Sequence, residues 1–122
     1  MGWYEKLISR NVPNISPDEA FKLLSENGQV IIVDVRQPIE TQSGSVAGAV
    51  LIPLTEFGSR MAELPRDRPI LTICRSSHRS PIAARQLKRA GYNVTNVLGG
   101  TIGWEKAGLP LVRPNDGATG AG

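Results

Sequence analysis

No stretch of this 122-residue chain approaches the roughly 18 consecutive apolar residues that a membrane-spanning helix requires. The first ten residues, MGWYEKLISR, are too charged for a secretory signal, and Lys6 stands where the myristoylation pattern wants Ser or Thr. A cytoplasmic location without membrane partners is the expectation. One cysteine excludes an internal disulfide and a multi-cysteine zinc site, and one histidine adds little toward any other metal centre. Aromatic residues make up 5% of the chain and are not interleaved with a dense basic run, so the net charge of +3 does not predict nucleic-acid binding. No metal or cofactor is expected, and the oligomeric state has no sequence signal.

With 40% apolar and 20% charged residues, the chain has the makings of one globular domain with a real core. Ser16-Pro17-Asp18-Glu19 predicts a helix start: an N-cap serine, proline in the first turn, early carboxylates and a capping box to Glu19. Ala20, Phe21, Leu23 and Leu24 supply its buried stripe, and Asn27-Gly28 ends it. Val30–Val35 (VIIVDV) reads as a strand covered on both faces, followed by a loop over Arg36–Ala49 and a short strand Val50–Ile52. Thr55–Leu64 is predicted as a helix weakened by Gly58. A strand Ile70–Cys74, a helix Pro81–Ala90, a strand Val94–Leu98, a turn at Gly99-Gly100 and a helix Thr101–Ala107 complete the pattern. Strands alternating with helices imply an α/β fold, a central parallel sheet flanked by helices on both faces, with its ligand site at the carboxyl edge of the strands. Residues 1–11 are expected to be an extension with a short helix, 12–112 the domain, and 113–122 a mobile tail.

The stretch Cys74–Ser80 (CRSSHRS) carries the chemistry. Taken alone, a cysteine at a strand end reads as a small buried hydrophobe. Here two arginines (Arg75, Arg79), three serines (Ser76, Ser77, Ser80) and a helix N-terminus lie beside it. Unpaired helix amides and guanidiniums both favour an anion, so the thiol is expected to be a lowered-pKa, reactive thiolate. His78 reads as an exposed loop residue and Trp104 as a core anchor.

CRSSHRS resembles the active-site loop of the rhodanese family, which is similar to Cys-x-x-Gly-x-Arg-Ser between a strand and a helix. Four further stretches resemble that family in the same order: DVRQPIE (34–40), GSVAGAVLIPL (44–54), GYNVTNVLGGTIGW (91–104) and AGLPL (107–111). The resemblance implies a rhodanese-like domain that transfers sulfane sulfur. Cys74 would carry the persulfide, the backbone of Arg75–Arg79 would cradle it, and Arg79 or Arg75 would attract an anionic donor such as thiosulfate. Cyanide, a thiol or a protein would accept the sulfur. Asp34 and Arg36 would support the site as an ion pair, or Arg36 would reach the substrate pocket.

Three positions depart from the family pattern. Ser77 stands where glycine is usual and disfavours positive φ, Ser45 replaces a histidine, and Thr41 replaces an aromatic residue. A non-catalytic or regulatory persulfide-carrier module is therefore the alternative reading. Cysteine phosphatases and arsenate reductases share the strand–loop–helix site but need Cys-x5-Arg; here Arg79 falls one residue short, with Ser80 at that place.

Overall fold

The computed structural model describes residues 11–114; the N-terminal extension through residue 10 and the tail from residue 115 lie outside them. In chain order the elements are β1 (Asn14–Ile15), α1 (Pro17–Glu26), β2 (Ile31–Asp34), β3 (Val50–Leu51), α2 (Phe57–Arg60), β4 (Ile70–Ile73), α3 (Ser80–Arg89), β5 (Val94–Val97) and α4 (Gly100–Lys106). Short 3-10 turns occupy Pro38–Ser43, Leu54–Glu56 and Met61–Glu63. The strands form one sheet in the order β1-β5-β4-β2-β3, every pairing parallel.

Side chains alternate across a strand, so each apolar run serves two cores. Ile32, Leu71, Ile73 and Val97 pack with Ala20 of α1 and Trp104 of α4. Val33, Ile70 and Val94 pack on the opposite face with Phe57 of α2 and with Ala83, Ala84 and Leu87 of α3. The expected parallel sheet with helices on both faces is what the chain forms. Trp104 is fully buried, with its indole N–H donating to the Pro110 carbonyl at 2.9 Å and Phe21 meeting its ring edge-on. At the start of α1, Ser16 Oγ accepts from the Glu19 N–H at 3.2 Å, while the Glu19 carboxylate takes the Ser16 hydroxyl rather than its N–H.

Several expectations need correction. The helix over Thr55–Leu64 breaks into a 3-10 turn, the four-residue α2 and a second 3-10 turn. Arg36–Ala49 is not all loop, because Pro38 opens a 3-10 segment through Ser43. The two-residue β1 escapes sequence reading altogether; it is too short to show a period and exists because β5 offers it a parallel edge. Cys74 is the first residue beyond β4, and α3 begins at Ser80 with Arg79 at the cap position. Among the described residues no helix is long and apolar enough to cross a membrane.

Candidate active site

Register brings the pieces of the site together. Asp34 pairs with Ile73 across the β2–β4 ladder, so the chain segments leaving these two strands start side by side at the carboxyl edge of the sheet. Five residues, Arg75 to Arg79, then join Cys74 to α3. The Cys74 residue is 0% exposed and packs in the apolar cluster that includes Ala83, Ala84 and Leu87. Its sulfur nevertheless accepts a hydrogen bond from the Ser77 N–H at 3.1 Å. The hydrophobe and the thiolate readings thus describe two sides of one residue.

Ser77 takes φ of 72°, the only non-glycine residue among those described with a positive φ. Serine pays an energetic penalty in this region that glycine does not, and the loop adopts the conformation nonetheless. Burial pushes the Cys74 thiol up. The Ser80 hydroxyl and the backbone N–H groups of Ser80, Arg79 and Ser76 outweigh that effect, leaving the thiol below its ordinary value. Ser80 Oγ is buried without a partner of full hydrogen-bond geometry, so its proton is free to turn to the sulfur.

The loop carbonyls are held away from this cluster of donors. Cys74 O accepts from the Thr101 N–H at 2.8 Å, and Arg75 O accepts from the Ile102 N–H at 3.1 Å. This docking needs Gly100, whose missing Cβ would lie 2.3 Å from Arg75 O and 2.5 Å from Cys74 O. A residue read from sequence only as part of a turn therefore sets the close approach of α4 to the loop.

The arginines divide their work differently from the sequence expectation. Arg79 does not stand free for an anionic donor. Its guanidinium makes a two-pronged pair with Glu40, at 2.6 and 2.7 Å. Glu40 is in turn placed by its N-terminal neighbours: Glu40 Oε1 accepts from the Gln37 N–H at 2.9 Å, and Glu40 O accepts from Arg36 at 3.2 Å. Arg36 is buried against Asp34, with Nη2 to Oδ2 at 2.7 Å, and also donates to Gly44 O at 2.8 Å. The segment Asp34–Glu40 is thus one continuous brace from the end of β2 to the loop. Arg75 is exposed and lines a cavity of about 220 Å³ with Arg36, Glu40, Thr101 and Glu105. Ser76 and His78 are exposed and bonded to each other, Oγ to Nδ1 at 2.9 Å, in line with the loop role expected of His78.

The Arg79 hydrogen bonds drive the Glu40 carboxyl from its ordinary 4.5 to about 2, against a smaller opposing effect of burial, with the Gln37 N–H and the Arg36 charge helping. A carboxyl whose pKa falls on folding stabilises the fold above its unfolded value and loses that contribution as pH drops through the folded one. The difference in urea midpoint between wild type and Glu40→Gln should therefore be constant near neutral pH, shrink below about 4.5 and be nearly gone near pH 2. A difference that stays flat across this range would mean that the ionised pair does not carry it.

Sequence reading named the loop, Asp34 and Arg36, but gave no site role to Glu40, Asn96 or Gly100. Glu40 had a signal in its fixed distance from Asp34-Val35-Arg36. The other two had none beyond lying in a recognised stretch.

Comparison with known proteins places the chain in context. The family model for the rhodanese-like domain matches residues 16–107. A sulfurtransferase of Allochromatium vinosum is 36% identical over 104 residues, covering 84% of this chain and 97% of that protein. Among solved structures, a rhodanese-related protein from Thermoplasma volcanium superposes with a TM-score of 0.77 at 30% identity, covering 82% of this chain and 97% of that one. A thiosulfate sulfurtransferase from Pseudomonas aeruginosa gives 0.76 at 32% identity, covering 84% of this chain but 20% of that longer protein.

Proposed function

This chain belongs to the rhodanese-like domain family, and we propose that it is a sulfurtransferase that carries sulfane sulfur as a persulfide on Cys74. The observation that carries this reading is the Cys74 sulfur held by the Ser77 N–H at 3.1 Å in a loop that lowers the thiol. In the first step the Cys74 thiolate attacks the outer sulfur of a donor such as thiosulfate. A bond forms between the two sulfurs, the donor's own S–S bond breaks, and its electron pair leaves with sulfite. Cys74 then holds an –S–S⁻ group whose charge is met by the inward amides and the Ser80 hydroxyl. In the second step an external nucleophile, a thiol, a protein persulfide acceptor or cyanide, takes the outer sulfur and returns the Cys74 thiolate. This chain has no second thiol to do so. Arg75, rather than the Glu40-bound Arg79, is the cation available to draw in an anionic donor.

Phosphate chemistry is disfavoured on the same geometry. The guanidinium that would grip a phosphate is absent at the sixth position after Cys74, and the one beside it is already engaged by a carboxylate. A regulatory module that never forms the persulfide predicts a different result in one measurement. Intact mass after incubation with thiosulfate should gain one sulfur in wild type and none in Cys74→Ser. No adduct on the wild type, or an equal adduct on the variant, overturns the proposal.

A further inference from the structure

We propose that Asn96 is a positioning residue for the sulfur site: its side chain clamps the Ser77 hydroxyl and so holds Ser77 in the left-handed conformation that aims its N–H at Cys74. The inference rests on the reading of Cys74 as the sulfur carrier, and it concerns how this loop works without glycine.

Three strands build the clamp. Thr72 of β4 and Asn14 of β1 are the register partners of Asn96 on β5, so the three side chains form a row across the sheet. Asn96 is 2% exposed, and both ends of its amide are hydrogen-bonded. Its Oδ1 accepts from the Thr72 hydroxyl at 3.2 Å. The Nδ2 group then donates to Asn14 Oδ1 at 3.2 Å and to Ser77 Oγ at 3.3 Å. The Ser77 hydroxyl passes its own proton to Val97 O at 3.3 Å. Both hydroxyl contacts run to β5, which is paired with β1 on one side and β4 on the other, and both are made with the loop backbone in its left-handed turn.

A residue with a Cβ loses stability in the left-handed region, where glycine does not. Loops that use glycine at such a point need no side-chain restraint, and none is possible. Here the serine supplies both the penalty and the handle that offsets it. A buried asparagine with no part in the apolar core is thereby tied to the reacting sulfur through two hydrogen bonds: Asn96 to Ser77 Oγ, and Ser77 N–H to Cys74 Sγ.

The test is a cycle of four proteins: wild type, Asn96→Ala, Ser77→Gly and the double variant. Because the chain has one cysteine, ultraviolet thiolate absorbance titrates Cys74 alone. The Arg79–Glu40 and Arg36–Asp34 pairs, the charged groups that brace the loop, are untouched by these substitutions. In the serine background, Asn96→Ala should move the thiol titration upward and slow persulfide loading from thiosulfate about threefold to tenfold, the factor one lost hydrogen bond supplies. In the glycine background the same substitution should change loading by less than about twofold, since no clamp remains to lose. Thermal midpoints should fall in both backgrounds, because the Thr72 and Asn14 bonds are lost in each, and further in the serine background, where the Ser77 bond is lost as well. Ser77→Ala, which keeps the Cβ and removes the handle, should move the thiol in the same direction as Asn96→Ala and at least as far, because the Val97 bond is lost too. Equal thiol shifts in both backgrounds, no shift in either, or a Ser77→Ala thiol that titrates like wild type would each overturn the proposal. If no protein in the set loads sulfur while the absorbance cycle behaves as expected, the sulfurtransferase reading fails and the clamp stands.

Discussion

Replacing Gly100 by alanine is expected to destabilise the domain by about 3 kcal/mol, lowering its thermal midpoint by about 10–20 °C, and to abolish persulfide loading with it. The added methyl would sit 2.3 Å from Arg75 O, 2.4 Å from Arg75 C and 2.5 Å from Cys74 O. These are backbone atoms, so no side-chain rotation relieves the overlap. Alanine also meets the left-handed φ of 61° at this position, a smaller penalty of about 1 kcal/mol. The only relief is to separate α4 from the loop, which breaks the Thr101–Cys74 and Ile102–Arg75 hydrogen bonds and releases the carbonyls that the site keeps turned outward. Gly58→Ala is the matched control: its added methyl meets open space and its φ is ordinary, so it should be neutral or slightly stabilising. Calorimetry on the two variants decides the matter. A Gly100→Ala protein that melts with wild type would mean that the close approach is loosely held.

Asp34→Asn is expected to cost about 3–5 kcal/mol, because it removes the countercharge of a guanidinium that is 2% exposed. The loss should pass into the site. Arg36 braces the Glu40 carbonyl, and Glu40 clasps Arg79, so a shifted Arg36 frees the loop arginine from its carboxylate. Denaturant unfolding of Asp34→Asn beside the double variant Asp34→Leu/Arg36→Met separates two contributions. Removing both charges should recover part of the stability, since no buried ion is left unpaired, but not all, since the carbonyls of Glu40 and Gly44 lose their donor. If the single and double variants unfold together, the bonds to those carbonyls carry the cost and the ion pair does not.

The architecture was legible where the physics is local. Val30–Val35 and Ile70–Cys74 are each apolar at all but one position, Asp34 and Thr72 respectively, and a sheet covered on both faces accommodates such runs. The cap of α1 was equally plain, because Ser16, Pro17 and Glu19 each satisfy a helix start within a few residues. The site was legible as a list of groups at one loop, since cysteine, arginines and helix start are neighbours in sequence. What could not be read was how those groups are partitioned. Arg79 and Glu40 are 39 residues apart, and nothing local says that this arginine is spoken for while Arg75 is not. Ser77 looked like a flaw because its φ penalty is local and its compensation is not: the restraint comes from Asn96, on a strand formed later in the chain. Gly100 failed for the same reason, its necessity lying in a backbone 25 residues away.

The complete enclosure of Cys74 has a bearing on oxidative damage and trade between molecules. A lone thiol on a surface cross-links with its twin in air, because two chains can bring their backbones within the roughly 7 Å that a disulfide spans. Cys74 has no exposed surface, so a second copy would have to drive its own main chain into the loop before the sulfurs met. Burial of this kind opposes a covalent dimer through Cys74. On the proposed sulfur-transfer reading, the same enclosure requires any acceptor, whether ion, thiol or protein, to bring its nucleophile into the loop to meet the sulfur.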